Sequence, residues 1–212
     1  MVTLALSKGR ILEESIPLLE RAGIIPEEDL TKTRRLIVGT NVPDVRLVVI
    51  RAADVPTYVR YGAADLGIAG KDVLCEDGGD GLYELADLGI AACRLMVAEP
   101  VAAAGGAGRQ EWGRLRVATK YVRITERHFA AQGIQADIIH LYGSMELAPL
   151  VGLADRIVDL VSSGQTLAAN GLRAVEHVLD VSARLVANRA AMKMKSAALR
   201  PIIASLAGER GI

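Results

Sequence analysis

The pattern of apolar and polar positions switches repeatedly between short continuous runs and helical spacing. Residues 2–6 form an apolar run of strand type. Ile11, Leu12, Ile16, Leu18 and Leu19 then recur at helical intervals, and Gly23 closes a helix predicted over residues 11–22. Residues 34–38 and 45–50 predict two strands, and residues 53–61 a short helix with Pro56 near its start. A glycine-punctuated strand at 66–70 leads into a helix opening at Lys71-Asp72, followed by a loop at 75–81. Residues 82–88, 94–98, 115–119 and 136–140 read as strands, and residues 121–132 as a helix closed by Gly133. Residues 101–108 read as a flexible Ala/Gly loop. Another helix opens between Tyr142 and Pro149, and residues 154–161 return to a strand pattern. Residues 167–170 start a short helix that stops at Asn170-Gly171, residues 172–186 are mostly extended, and residues 188–207 form a final helix. This alternation predicts an α/β protein with largely parallel sheets.

The most informative stretch is the strand, turn and helix start ending in Ser162-Ser163-Gly164-Gln165-Thr166. The first N–H groups of a helix have no partner inside it and face whatever sits in the turn before it. Gly164 permits close backbone approach, and Ser162, Ser163 and Thr166 add hydroxyl donors. Two readings fit these residues: a cradle for a phosphate, or an ordinary turn with Thr166 as a helix cap. Asp155 and Asp159 precede the turn, and the two-residue period of a strand places both on one face. Carboxylates there would repel a phosphate unless they engage ribose hydroxyls or a magnesium ion, so cradle and acids together describe a 5-phosphoribosyl site.

Ser7-Lys8-Gly9-Arg10 forms a second strand–turn–helix, with Lys8 and Arg10 at a strand's carboxyl end, where α/β proteins bind ligands. It suits an anion clamp or a solvated basic turn. Arg51 ends another strand, where an arginine alone is more often a surface ion-pair residue than a ligand. Gly67 and Gly70 permit either ligand approach or tight helix packing. Glu146 opens a helix, either complementing its dipole or facing a ligand. Arg189, Lys193, Lys195 and Arg200 form a solvated face or a subunit contact.

Composition narrows the classes. The 25 basic and 25 acidic residues cancel, which argues against a general nucleic-acid or anionic-membrane binder. At 51% hydrophobic and 3% aromatic, the chain is globular with a core of Ala, Val, Leu and Ile. No apolar stretch is long enough to span a bilayer and no signal-peptide pattern opens the chain, so a cytoplasmic location is expected. Cys75 and Cys93 are expected to be reduced thiols, and no metal spacing links them or His128, His140 and His177. The absence of G-x-x-x-x-G-K-[ST] excludes a P-loop ATPase.

Four blocks in order, Ser7-Lys8-Gly9-Arg10, Asp65 through Asp72, Gly143-Ser144-Met145-Glu146 with Ala148-Pro149-Leu150, and Ala154-Asp155 through Thr166-Leu167, resemble the ATP phosphoribosyltransferase family over about residues 2–195. The resemblance implies a two-lobed, periplasmic-binding-protein-like (type II) α/β fold with a cleft between lobes. The expected lobes are residues 1–92 plus 179–212, and 93–178 with the phosphoribosyl loop. The implied reaction joins N1 of ATP to the anomeric carbon of 5-phosphoribosyl-1-pyrophosphate (PRPP), releasing pyrophosphate with inversion, as the first step of histidine biosynthesis. Carried onto this sequence, Asp155, Asp159, Ser162, Ser163, Gly164, Gln165 and Thr166 bind PRPP. Lys8, Gly9, Arg10, Arg51, Asp65, Asp72 and Glu146 bind ATP or pyrophosphate. No residue is assigned as acid or base. Mg2+ is the implied cofactor, held through substrate and by Asp155 or Asp159. Gln165 departs from relatives with a basic residue at that position, which lowers the expected charge of the loop. The length resembles the short form, which implies a homodimer of catalytic chains in a hetero-octamer with a regulatory subunit similar to histidyl-tRNA synthetase. A small-anion solute-binding protein of the same fold and a phosphoribosyltransferase for another base are the alternatives.

Overall fold

A computed structural model of the chain describes residues 1–102 and 114–208. Most of the expected Ala/Gly loop at 101–108 thus lies outside the described residues. In chain order the elements are β1 (Val2–Ser7), α1 (Arg10–Arg21), β2 (Ile37–Gly39), β3 (Val45–Ile50), α2 (Val55–Arg60), β4 (Leu66–Gly70), α3 (Lys71–Asp77) and β5 (Leu82–Asp87). They continue with β6 (Cys93–Pro100), β7 (Leu115–Thr119), α4 (Val122–Ala131), β8 (Ala136–His140), α5 (Leu147–Leu150), β9 (Arg156–Val161) and α6 (Gln165–Ala169). β10 (Leu172–Val181), β11 (Ala183–Asn188), α7 (Arg189–Met194) and α8 (Ser196–Ala207) complete the set. The chain divides into two compact units, Met1–Ala92 with the segment from Ser182 onward, and Cys93–Val181. Val178, near the second expected crossing, lies inside β10.

The first unit is a six-stranded sheet in the order β2-β3-β1-β4-β11-β5. β1 runs parallel to β3 and β4, with Leu4 level with Leu47 and Leu66. β1 is buried along its whole length, as a central strand covered on both faces must be. Leu4, Leu6, Leu47, Ile68 and Leu185 pack on one face against Leu12 and Leu19 of α1 and Leu199 and Ile203 of α8. Ala5, Ala69 and Val186 meet Val55 and Val59 of α2 on the other. A Cβ on Gly67 would stand 2.7 Å from Val59 and 2.8 Å from Val55, so this glycine serves close helix–sheet packing.

The second unit is a five-stranded sheet in the order β10-β6-β9-β7-β8. β7 is parallel to both β8 and β9, so their carboxyl ends share one edge. Ala98, Ala118, Ile157 and Val161 pack with Met145, Ala148, Leu167 and Leu172.

Both sheets are more mixed than expected. β6 and β10 run antiparallel to their neighbours, as do β2 and β11. Apolar periodicity reports burial and not strand direction, which explains the difference. The loop expected from residue 75 is instead the last turn of α3, closed at Gly78 with φ 98. The expected final helix is two helices. The Asn188 side chain caps α7 by accepting from the Ala191 N–H, and Lys195 at φ −118 interrupts the run before α8. Among the described residues no helix is long and apolar enough to cross a membrane.

Candidate functional site

The site in the second unit is built at the shared carboxyl edge of β7, β8 and β9. Beyond Val161 the chain turns through Ser162 and Ser163, and Gly164 initiates α6 at φ 77, ψ 0. That left-handed conformation suits glycine because a Cβ would crowd the following carbonyl. No side chain caps α6, and Thr166 is its second residue and not its cap, so the ordinary capped turn does not form. The Gln165 N–H approaches Ser163 Oγ at 3.4 Å, and the Ala168 N–H donates to the Gly164 carbonyl at 3.0 Å. Ser162, Ser163, Gln165 and Thr166 are exposed while Leu167 is buried, so the turn is anchored from below and polar above. The arrangement presents N–H and hydroxyl donors suited to an anion.

Asp159 lies on β9 two residues from both Ile157 and Val161, and so on the face whose core includes Met145 and Ala148. Its Oδ1 accepts from the Leu160 N–H at 2.8 Å. Glu146 precedes α5 and is half-buried next to Met145, which is 1% exposed and pins the loop. Glu146, Asp159 and the turn are therefore brought to one edge.

Asp155 is not. It precedes β9, at the end of the strand opposite the turn. Arg116 holds both of its oxygens: Nη2 donates to Oδ1 at 2.8 Å, while the backbone N–H and Nε donate to Oδ2 at 2.9 and 3.3 Å. These Arg116 bonds hold the Asp155 carboxyl below its ordinary range. The expectation that Asp155 and Asp159 act together fails because a shared strand face does not mean a shared strand end.

Lys120 belongs to this edge and was missed from the sequence, although a cation directly after a strand is the signal that singled out Lys8. Fully buried Thr119 donates to the Val158 carbonyl at 2.8 Å and accepts from the Tyr121 N–H at 2.9 Å. This locks the end of β7 to β9 and leaves Lys120 exposed, its Nζ 4.8 Å from the centre of the buried Tyr121 ring.

In the first unit, Ser7 of β1 lies level with Ile50 of β3, and the Lys8 N–H donates to the Ile50 carbonyl at 3.0 Å. The ends of these neighbouring strands bring Lys8, Gly9, Arg10 and Arg51 together, all exposed. Gly9 precedes α1 at φ 90, and a Cβ there would meet nothing within 4 Å, so the space above it is open. Arg10 is already engaged, 2.6 Å from Glu14 and 3.3 Å from the Ala92 carbonyl. The Ala91 N–H and then Arg10 hold the Glu14 carboxyl below its usual range. Asp72 follows the carboxyl end of β4 in the first turn of α3 and is buried. Its Oδ1 occupies the place where a Gly70 side chain would be, so Gly70 makes room for that carboxylate.

Asp65 falls at the opposite edge of this sheet. Buried before β4, it accepts from the Thr3 N–H at 2.9 Å and pairs with Lys195 at 2.8 Å. It ties the start of β1 to the α7–α8 junction, and its place in the nucleotide group is corrected to a structural one.

Among the described residues no group of three acids, histidines or cysteines converges to hold a metal. A pocket of about 550 Å³ lined by Glu99, Arg156, Arg173 and Glu176 lies at the amino end of β9, away from the turn. Glu99 bridges Arg173 at 2.9 Å and Arg156 at 3.0 Å, so both arginines are already engaged with one shared carboxylate.

A family model described as "HisG: ATP phosphoribosyltransferase" matches residues 51–208. A relative named ATP phosphoribosyltransferase from Neisseria meningitidis is 62% identical over 207 residues, covering 98% of this chain and 95% of that protein. Among solved structures, the "ATP phosphoribosyl transferase (HisG:HisZ) complex from Thermotoga maritima" is similar with a TM-score of 0.82 and 32% identity, over 97% of this chain and 96% of that one. The alkanesulfonate-binding protein SsuA from Xanthomonas axonopodis pv. citri, bound to MOPS, has a TM-score of 0.56 at 12% identity over 97% of this chain and 71% of that one. The last likeness shows the fold alone, that of a solute-binding protein.

Proposed function

We propose the following chemistry for this chain, which belongs to the ATP phosphoribosyltransferase family: it transfers the 5-phosphoribosyl group of PRPP to N1 of ATP and releases pyrophosphate, the first step of histidine biosynthesis. The observation that carries the site is the uncapped start of α6, where left-handed Gly164 turns the chain beneath exposed hydroxyls. In this reading the 5′-phosphate sits against Ser162, Ser163, Gly164, Gln165 and Thr166. Hydrogen bonds to a charged acceptor contribute about 1.5–3 kcal/mol each, so three or four fix the sugar firmly. Asp159 faces the ribose, and Glu146 the ribose and nucleotide. Lys8, Arg10 and Arg51, with the open backbone at Gly9, take pyrophosphate or ATP phosphates. Asp72 is a nucleotide-side residue whose buried carboxylate shapes the Gly70 turn.

The lone pair of adenine N1 attacks the anomeric carbon while the bond to the pyrophosphate oxygen breaks, and pyrophosphate leaves with that electron pair. N1 carries no proton, so no general base is needed. The protein's part is to align the two reactants and to place cations where charge grows on the leaving group. In this reading a magnesium ion would arrive on the substrate's pyrophosphate, and Asp159 is the carboxylate that would be offered to it. When bound, the ion would neutralise charge developing on the pyrophosphate oxygens.

The chain and its Neisseria relative match over 98% and 95% of their lengths. The Thermotoga relative is solved as a HisG:HisZ complex, which supports a second kind of subunit for this chain. The resemblance implies that this subunit is regulatory and similar to histidyl-tRNA synthetase, in a hetero-octamer built on homodimers of this chain. The cytoplasm is the proposed location. The solute-binding alternative rests on fold alone, and no observation favours transfer to another base. Pyrophosphate release on mixing the chain with ATP and PRPP, with and without the regulatory subunit, tests the reading. Release that requires both substrates is expected, and release with a free nucleobase in place of ATP would overturn it.

A further inference from the structure

We propose that Tyr142 and His140 form the stacking platform that receives the purine ring of the acceptor nucleotide, an inference that rests on the reading above. Tyr142 is 88% exposed, an unusual state for an aromatic ring in a chain with only 3% aromatic residues. Its ring lies 4.7 Å from that of His140, tilted by 48°, so the two rings support each other while the exposed Tyr142 ring offers a π face to solvent. Tyr61 is nearly as exposed at 81%, yet among the described residues no other ring pairs with it.

Position then assigns the surface a ligand. His140 is the last residue of β8, and Tyr142 lies just beyond it, at the edge that carries the phosphate turn after β9. β7 alone separates β8 from β9, so the aromatic pair and the turn are about two strand spacings, or about 10 Å, apart. That gap is the reach of a phosphorylated ribose, and Lys120 rises from β7 between them. A sugar phosphate seated in the turn would thus extend its anomeric carbon toward the pair, and the base attacking that carbon would arrive there. Glu146 follows in the same loop, where Ser144 holds a left-handed φ of 52. Such strain in a non-glycine residue is retained where the surrounding structure must aim a side chain.

A stacked ring contributes enough that its loss changes base affinity by about tenfold or more. The test compares Tyr142→Ala, Tyr142→Leu and Tyr142→Trp with the wild type in the complete enzyme complex, measuring KM for ATP and for PRPP separately. Tyr142→Ala and Tyr142→Leu are expected to raise KM for ATP about tenfold with KM for PRPP within twofold, and Tyr142→Trp to restore it. His140→Ala is expected to give a smaller rise in the same direction. An unchanged KM for ATP in Tyr142→Ala would overturn the inference and leave the phosphate turn standing. Unchanged KM values with weakened subunit assembly by sedimentation would overturn it too, making the ring a subunit contact. A rise in both KM values in Tyr142→Leu, not reversed by Tyr142→Trp, would mean a structural role. A wild-type complex that releases no pyrophosphate would remove the underlying reading, and the inference with it.

Discussion

Single residues decide whether a sequence pattern becomes a site. Gly164 has a φ of 77, and a Cβ there would stand 3.9 Å from Val161, so space is available but the backbone conformation is not. Gly164→Val is therefore expected to cost about 1–2 kcal/mol of stability. It should also weaken PRPP binding at least a hundredfold in calorimetry, with the circular dichroism spectrum retained. Normal PRPP affinity in that variant would refute the placement. The two corrected acids carry the opposite expectation. Asp65 is buried between the Thr3 N–H and Lys195, so Asp65→Asn should lower stability by about 1.5–3 kcal/mol without changing KM for either substrate. The types and spacing of Ser162 to Thr166 made the turn legible, because a strand, a glycine and hydroxyls carry a direct geometric meaning. Asp65 and Asp155 misled because a carboxylate before a strand looks the same in sequence whether it faces a ligand or caps the far edge of a sheet. Only the partners, Lys195 and Arg116, distinguish the cases, and they lie 130 and 39 positions away.

Elements set the edges on which those residues meet. β7, β8 and β9 were read from apolar runs alone, and their common direction then follows from the crossover helix α4 and the short helix α5 between them. The direction of β6, β10 and β11 was not legible, since burial on both faces looks alike in parallel and antiparallel strands. One interaction that fastens β9 to β7 has a pH signature. The folded Asp155 carboxyl titrates below its ordinary range because of Arg116. As pH falls the unfolded chain takes up this proton first, near pH 4, so the contribution is complete above that pH and is lost as pH falls through the lower folded value. Thermal melts from pH 7 to pH 3 should show a decline that Asp155→Asn makes shallower, with the neutral-pH cost near 1 kcal/mol because the pair is partly exposed. A variant whose acid limb matched the wild type would deny the tie any role, and weakened PRPP binding in it would restore Asp155 to the site.

At the scale of the whole molecule, two units share one chain in an interrupted order, the first completed by residues after the second. Residues 172–186 read as one mostly extended segment, and the structure breaks that segment at Ser182 between β10 and β11, which belong to different sheets. Periodicity carries no sign of that exchange, because both halves are equally extended. The resemblance implies that the regulatory subunit confers inhibition by histidine, so its addition is expected to change pyrophosphate release and make it sensitive to histidine. Release that is equal with and without it, and indifferent to histidine, would place this chain outside that assembly. The most direct measurement is a crystal structure of the chain soaked with PRPP. The expected density has the 5′-phosphate against the N–H groups of residues 164–166 and the hydroxyls of Ser162, Ser163 and Thr166. Density for that phosphate elsewhere on the chain, with the Gly164 turn empty, would contradict the proposed function at its root.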